Sequence, residues 1–141
     1  MPTLFTKIID GDLPGRFLWR DEVAVAFMTI SPIQAGHALI VPRVEVDNWL
    51  DLDADTSAHL MGVARTIGRA QRAAFGRERV GLIIAGLEVP HVHLHTIPIT
   101  SEADLDFAKA DPSPAPDDLD AAAAAIRKAL RDADERYVAD A

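Results

Sequence analysis

Three of the chain's five histidines stand at alternate positions in the stretch PHVHLHTIPI, as His91, His93 and His95. Side chains alternate between the two faces of a β-strand, so the three imidazoles share one face, with successive Cα atoms about 6.8 Å apart. Val92 and Leu94 take the opposite face, which suits a hydrophobic core. The stretch is therefore predicted as a strand with one apolar face and one imidazole face that could do chemistry.

Four interpretations of the imidazole face stay open from the residues alone. The histidines could be ordinary core or surface residues, but each ring then needs partners for its donor and its acceptor. They could bind a metal with His37 as a further ligand, but three alternate strand positions span too far for all to reach one ion at about 2 Å. A neutral imidazole could attack phosphorus while its neighbours stabilise the oxyanion or the leaving group. The fourth interpretation is a nucleotide-binding module with the same pocket and no turnover.

Composition restricts the class of protein. The 141 residues fit one domain, or one domain with an appendage, and the absence of cysteine excludes disulfides, thiol catalysis and cysteine-based zinc sites. The net charge of -8 argues against extended nucleic acid as a partner, because such binding needs many Lys and Arg contacts to phosphate. A small anionic substrate remains compatible, since screening acts over roughly 10 Å. No apolar run approaches a membrane span or a signal peptide, so we expect no membrane partner and a cytoplasmic location.

The elements that must position the histidines follow from the spacing of apolar residues and from cap and turn residues. Successive strands that pair antiparallel predict an α+β fold, with a short N-terminal helix and one long helix packed on an antiparallel sheet. The predicted order begins with a helix at 3–11 capped by Thr3, followed by strands at 16–20, 23–28 and 37–42. A long helix at 53–75 comes next, capped by Asp53, Asp55 or Thr56. A mostly buried strand at 79–86 and a last strand at 91–99 complete the order.

The composition changes after Thr100. Residues 110–118 read ADPSPAPDD, which is typical of a linker, and residues 118–137 predict a helix rich in alanine and charge, with a thin apolar stripe. The sequence therefore divides into a domain with the histidine stretch, residues 1–100, which is the candidate catalytic domain, and a proline-containing linker with a C-terminal helix, residues 101–141. We expect this helix to pack on the body or on a partner chain.

The stretch His-Val-His-Leu-His-Thr-Ile matches the histidine triad pattern, His-φ-His-φ-His-φ-φ with φ apolar, except that Thr96 takes one apolar place. The pieces KII-G-LP, AF--ISP and GH-L-VPR precede it in the expected order. Over roughly residues 3–99 the chain resembles the histidine triad (HIT) family. The resemblance implies a HIT-like fold, a homodimer whose sheets join, and cleavage at the α-phosphate of nucleoside phosphoramidates, dinucleoside polyphosphates or nucleotide sugars.

By the same resemblance, His93 is the nucleophile that forms a nucleotidyl-histidine, with no metal or other cofactor. His95 would lie by the α-phosphate oxygens or the leaving group and supply a proton or positive charge to it. His91 and His37 would order the cluster. The residues implied for the nucleoside pocket are Leu4, Phe5, Ile8, Phe27 and Ile30.

The chain departs from the family pattern at three places. Many members hold zinc with an N-terminal Cys-x-x-Cys and histidines, where this chain reads TLFT from Thr3, so no zinc is expected. Many place an acidic residue by the ribose hydroxyls, where this chain has Thr29, which offers one hydrogen bond. The phosphate-holding loop before the triad reads Gly-Leu-Glu-Val-Pro, in which the backbone N–H groups of Glu88 and Val89 could donate to an oxyanion. The Glu88 carboxylate either faces the leaving group, a water or a histidine, or points to solvent or an arginine.

Overall fold

The computed structural model describes residues 1–141 and has the predicted α+β architecture. Five antiparallel strands form one sheet in the order β1-β2-β3-β5-β4. The elements are α1 (Leu4–Ile9), β1 (Phe17–Arg20), β2 (Ala24–Met28), β3 (Ala38–Pro42), α2 (Ala54–Phe75), β4 (Arg79–Ile83), β5 (Leu94–Ile99) and α3 (Pro116–Asp132). Short 3₁₀ turns lie at Trp49–Asp51, Glu102–Asp104 and Phe107–Lys109.

The two sheet faces pack against different partners because strand side chains alternate. One face carries the larger core, to which α2 and α3 contribute Leu60, Ile67, Ile126 and Leu130. The other carries a smaller cluster in which Phe5 of α1 meets strand residues. The strand members of this second cluster are Phe17, Val25, Phe27, Leu39 and Val41. The second face is the one that the histidines share.

The helix caps predicted from sequence are present where a side chain can accept an orphan backbone N–H. The Thr3 hydroxyl accepts from the N–H of Thr6, and the Asp53 carboxylate accepts from the N–H of Thr56. Gly76 ends α2 with φ +64°, a left-handed conformation that glycine adopts without a Cβ penalty. The N-terminus of α1 and both ends of α2 are therefore capped.

The last strand is shorter than predicted, because ladder pairing begins at Leu94 and not at His91. Leu94 pairs with Ile40 of β3, and His95 pairs with Leu39 of β3 and with Ile83 of β4, but residues 91–93 have no strand partner on either side. The N–H of Val92 donates instead to the carbonyl of Val46 in a loop. The backbone still alternates, since Val92 and Leu94 belong to the large core and the histidines to the other face.

The prediction of a mostly buried strand at 79–86 is also wrong. The strand β4 stops at Ile83 and is the edge of the sheet, so only Gly81 is buried and Leu82 is exposed. Leu105, from the segment after the triad, packs over Gly81, where a Cβ would lie 2.6 Å from its side chain. An edge strand has a neighbouring strand on one side only. An apolar run in the sequence does not distinguish an edge strand from a central one.

The C-terminal helix packs on the body, as one of the two predicted arrangements has it. Its buried residues Leu119, Ala123, Ile126 and Leu130 pack with α2 and β1. It ends at Asp132 and not at Tyr137, because Asp134 has φ +58° and the chain turns back. The following residues pair with β1, where Arg20 N–H donates to Tyr137 O and Ala139 N–H donates to Leu18 O, both at 2.9 Å.

None of the helices combines the length and the hydropathy that crossing a membrane would require.

Candidate active site

His91 is fully buried and its ring is fixed at both nitrogens. Nε2 lies 2.7 Å from the carbonyl oxygen of Pro42, and Nδ1 lies 2.7 Å from the hydroxyl of Thr3. A carbonyl only accepts, so Nε2 carries the proton and Nδ1 accepts from the hydroxyl. Burial lowers the pKa of His91, which agrees with a neutral ring. This histidine has no free nitrogen for a substrate.

His93 presents the opposite tautomer. Its Nδ1 lies 2.8 Å from the carbonyl oxygen of His91 and must donate to it. In the neutral ring, Nε2 is then the nitrogen without a proton, and its lone pair has no partner in the protein. The ring packs edge-on against Phe5 at a centroid distance of 4.9 Å and lines a cavity of about 740 Å³. The backbone carbonyl of one histidine thus fixes the tautomer of the next.

His37 and His95 form a relay of hydrogen bonds. The backbone N–H of Ile33 donates to His37 Nδ1 at 3.1 Å, so Nε2 of His37 carries the proton and donates to Nδ1 of His95 at 2.9 Å. The remaining nitrogen of His95, Nε2, is then an N–H donor. His95 also lines the cavity and packs beside His93 at a centroid distance of 4.9 Å. An acceptor and a donor thus come together at the cavity.

Both histidines of this relay are neutral at neutral pH. Burial, followed by the neighbouring His95, lowers the pKa of His37 from 6.5 to about 3. Burial, followed by His93, lowers the pKa of His95 from 6.5 to about 4. In the free protein His95 therefore offers a hydrogen bond and not the positive charge that the sequence resemblance had allowed.

Gln71 of α2 is a positioning residue that the sequence predictions did not include. It is fully buried, and its side-chain amide donates to the carbonyl of Gly36 at 2.8 Å and to that of Thr96 at 2.9 Å. These two carbonyls adjoin His37 and His95. Gln71 follows Ile67 at i+4, so the two residues share one face of the helix. A polar residue on this apolar face was the signal in the sequence that could have identified Gln71.

The cavity beside His93 has a volume of about 740 Å³ and is mainly apolar. It brings together all eight residues that the sequence assigned to nucleotide binding, and two of the four assigned to catalysis. His91 and His37 lie behind these two and do not line it. The predicted binding residues in its wall are Leu4, Phe5, Ile8, Phe27, Thr29, Ile30, Glu88 and Val89.

The apolar wall has a buried floor and an exposed rim. Phe5 and Phe27 form the floor, with edge-on rings at a centroid distance of 5.6 Å. Leu4 and Ile30 form the rim, and Ile30 is 74% exposed. Thr29 accepts from the N–H of Ser31 at 3.2 Å, which leaves its hydroxyl proton free to donate. An apolar ring that entered would cover Ile30 and Leu4.

Glu88 is exposed at the mouth of the cavity. The salt bridges of the molecule join Arg16 to Asp120, His59 to Asp21 and Lys128 to Asp132, so Glu88 pairs with no arginine. Its carboxylate is free to meet either solvent or a bound ligand.

The far end of the cavity contains charged residues that sequence reasoning missed. Arg16, just before β1, donates from Nε to Asp120 of α3 at 2.6 Å, and both residues line the cavity. They are 104 positions apart, and no local pattern predicts the contact. The C-terminal helix therefore contributes to the wall of the cavity as well as to the core.

The residues at the N-terminal position of the family's zinc site do not fit zinc. Zinc in proteins takes Cys, His and carboxylate ligands. Here the hydroxyls of Thr3 and Thr6 stand where many members have cysteine, and both nitrogens of His91 are engaged in hydrogen bonds. No three His, Cys, Asp or Glu side chains lie close enough to hold one ion. We therefore assign no step to a metal.

Comparison with known proteins agrees with this geometry. Residues 10–102 match the HIT domain. The chain is 32% identical over 108 residues to protein hit of Bacillus subtilis, which covers 72% of this chain and 73% of the relative. It is 30% identical over 107 residues to an adenosine 5'-monophosphoramidase of Schizosaccharomyces pombe, covering 72% of this chain and 77% of that one.

The likeness extends to the C-terminal part. A HIT-like protein of Mycobacterium tuberculosis whose function is uncharacterised is 29% identical over 139 residues, 95% of this chain and 96% of that one. The crystal structure of a zinc-bound histidine triad family protein from Mycobacterium smegmatis superposes with a TM-score of 0.81 at 26% identity, covering 93% and 94% of the two chains. Because the matched HIT domain spans most of the chain, this protein belongs to the HIT family.

Proposed function

We propose that this protein cleaves nucleoside phosphoramidates or dinucleoside polyphosphates at the α-phosphate, through a nucleotidyl intermediate on His93. The observation that carries the proposal is the unprotonated Nε2 of His93 at the wall of a mainly apolar cavity. Membership of the HIT family and the printed activity of the S. pombe relative support the same reaction. The protein is then a hydrolase, or a transferase if an acceptor other than water completes the reaction.

In the first step, the lone pair of His93 Nε2 forms a bond to the α-phosphorus. The bond from phosphorus to the leaving atom breaks with its electron pair on that atom, which takes its proton from solvent. The Nδ1–H group of His93 keeps its hydrogen bond to the carbonyl of His91, which stabilises the positive charge that develops on the ring. The uncharged ring of His95 contributes a hydrogen bond from Nε2 to a phosphoryl oxygen or to the leaving atom.

In the second step, water attacks the α-phosphorus and releases a proton to solvent. The nitrogen–phosphorus bond breaks with its electron pair returning to His93 Nε2, which restores the starting tautomer. The backbone carbonyl of His91 holds Nδ1 throughout, so the nucleophile does not need to turn between steps. This order requires no cofactor.

We propose that the nucleoside lies against the apolar wall. A base would pack on Phe5 and Phe27 and would cover Ile30. The side chain of Ile30 is exposed to water in the free protein, so covering it would favour binding. Thr29 would donate one hydrogen bond to the ribose. The N–H groups of Glu88 and Val89 would face the phosphate.

We also propose a homodimer in which two copies meet at the β4 edge. This edge has unpaired backbone groups, and exposed Leu82 and Met61 lie beside it in a small surface pocket. Unpaired edges with apolar side chains favour association with another strand. The net charge of -8 argues against extended nucleic acid as a partner, and we keep the cytoplasm as the proposed location.

The second candidate is a nucleotide-binding protein of the same fold without turnover. One observation favours it, which is the exposed carboxylate of Glu88 at the cavity mouth, where a phosphate would approach. Like charges repel, so this residue opposes close approach of an anion. The prepared tautomers of His93 and His95 favour catalysis instead.

Rapid-quench mass spectrometry separates the two candidates. The parent protein and His93→Ala are mixed with an adenosine phosphoramidate and quenched in base within the first turnovers. We expect a nucleotidyl adduct on the parent at His93, no adduct on the variant, and product at the background rate from the variant. Equal background product from both proteins, with nucleotide binding retained, would support the binding protein.

A further inference from the structure

Thr3 connects three parts of the molecule through one residue. Its backbone N–H donates to a carboxylate oxygen of Glu45 at 2.7 Å, and its hydroxyl accepts from the N–H of Thr6 at 3.1 Å. The same hydroxyl lies 2.7 Å from Nδ1 of His91, 88 positions away. The start of α1, the loop after β3 and the triad therefore meet at this residue.

The direction of the contact with His91 follows from the partners on either side. The carbonyl of Pro42 accepts a hydrogen bond from Nε2–H, so a neutral ring has only a lone pair at Nδ1. The hydroxyl of Thr3 must then donate. A second oxygen, the hydroxyl of Thr6, lies farther away at 3.2 Å. The ring of His91 is held between one donor and one acceptor in a single orientation.

The orientation of His91 matters because its own backbone holds the nucleophile. Its carbonyl accepts the Nδ1 proton of His93, which leaves Nε2 of that ring free to attack. Phe5, two residues after Thr3, packs on both rings at centroid distances of 5.8 and 4.9 Å. A shift at Thr3 would therefore reach both the nucleophile and the wall of the cavity.

We propose that Thr3 is a positioning residue whose hydroxyl proton fixes His91 and thereby the tautomer of His93. Hydrogen bonds from Thr3 to Glu45 and His91 then fasten the N-terminal helix to the triad, at the place where many family members use zinc. The NMR test of this proposal needs no substrate, and only the kinetic test rests on the proposed function.

Three substitutions separate this role from simple capping of α1. Ser keeps both the cap and the hydroxyl proton. Asp is an equally good cap, but its carboxylate only accepts and cannot donate to His91. Val removes both functions. Thr56→Asp, which adds the same charge in the first turn of α2, serves as the matched control because Thr56 touches neither the cavity nor the triad.

The first readout is long-range ¹⁵N NMR of the histidines in the free protein, which reports the tautomer without any substrate. We expect Nε2–H at His91 and Nδ1–H at His93 in the parent, Thr3→Ser and Thr56→Asp. In Thr3→Asp the carboxylate should draw a second proton onto Nδ1 of His91, and in Thr3→Val the signals of both rings should broaden or mix tautomers. Parent-like rings in both Asp and Val variants would overturn the proposal.

The second readout is turnover of the adenosine phosphoramidate. We expect Thr3→Ser and Thr56→Asp to stay within about twofold of the parent, and Thr3→Asp to lose kcat by about tenfold with little change in KM, as for other residues that orient a reacting group. A parent-like Thr3→Asp together with a weakened Thr3→Val would show that the cap alone matters. If the parent has no turnover, the NMR outcome still decides the role of Thr3, and only the proposed function fails.

Discussion

The two walls of the cavity are built by different interactions. The histidine wall is polar, and each ring nitrogen that faces away from the cavity has one partner at 2.7 to 3.1 Å. The other wall is apolar, with a buried floor and a rim in which Ile30 is 74% exposed. Hydrogen bonds have direction and fix single atoms, whereas apolar contacts depend on area and tolerate changes of shape. We therefore expect changes in the first wall to alter kcat and changes in the second to alter KM.

The largest effect should follow from breaking the relay behind His95. In His37→Phe the ring stays but both nitrogens are lost, so Ile33 N–H is left buried without a partner and His95 loses the donor that sets its tautomer. We expect kcat to fall by about 10- to 100-fold and the free energy of unfolding by about 1–3 kcal/mol. Steady-state kinetics and urea unfolding measure the two effects.

The control for this prediction is His37→Asn, whose amide oxygen can accept from Ile33 and whose NH₂ can donate toward His95. It should lie between the parent and His37→Phe. Unchanged kcat in the Phe variant would mean that the relay does not orient His95.

Acid should weaken the same wall. The pKa values of about 3 for His37 and about 4 for His95 lie below the ordinary 6.5, so the unfolded chain takes up protons at a pH where the folded chain does not. The free energy of unfolding is then insensitive to these two groups above pH 6.5 and falls as the pH drops from 6.5 toward 4. Urea unfolding at pH 7.5, 5.5 and 4.5 measures the slope, and His37→Asn should reduce it. An identical slope in that variant would assign the effect to other groups.

A smaller effect is expected from the rim of the apolar wall. Ile30→Ser removes an apolar side chain that is exposed in the free protein and would be covered by a bound base. We expect KM to rise about fivefold, on the scale of the burial of part of one side chain, with kcat and the melting temperature close to those of the parent. Leu50→Ser, at an exposed apolar residue outside the cavity, is the matched control. A fall in kcat with constant KM would contradict the division between the walls.

The smallest effect is expected at Glu88, which lines the mouth of the cavity outside the histidine cluster and the apolar floor and rim. Its carboxylate is exposed and pairs with no cation, so solvent screens its repulsion of a phosphate. Glu88→Gln should lower KM by about twofold at low salt and leave kcat unchanged, with the difference disappearing at high salt. A fall in kcat of tenfold or more would give this carboxylate a role at the leaving group, at a water or at a histidine.

The sequence predicted what depends on local periodicity. Alternation placed His91, His93 and His95 opposite Val92 and Leu94 even though only part of the stretch forms a ladder, because extended backbone alternates with or without pairing. The family resemblance then supplied His37 and the apolar wall. The position of β4 at the edge was not predictable, since an apolar run looks the same in a central strand and in an edge that another chain could cover.

The contacts that prepare the site were mostly outside the reach of sequence. Thr3 was predicted as a cap, but its contact with His91 joins residues 88 positions apart. Burial of His95, which makes it neutral, depends on neighbours from several elements and on the segment after the triad, where Phe107 packs on its ring at a centroid distance of 5.0 Å. Such contacts follow from the fold and have no pattern of their own.

The residues that follow α3 have a consequence for assembly. Because Tyr137, Val138 and Ala139 occupy the outer side of β1, the sheet offers a single open edge, at β4. In the proposed homodimer, two copies would pair through this edge and leave no open edge for a third copy. Removing those last residues would give the sheet a second open edge, and the same pairing chemistry would then permit open-ended filaments.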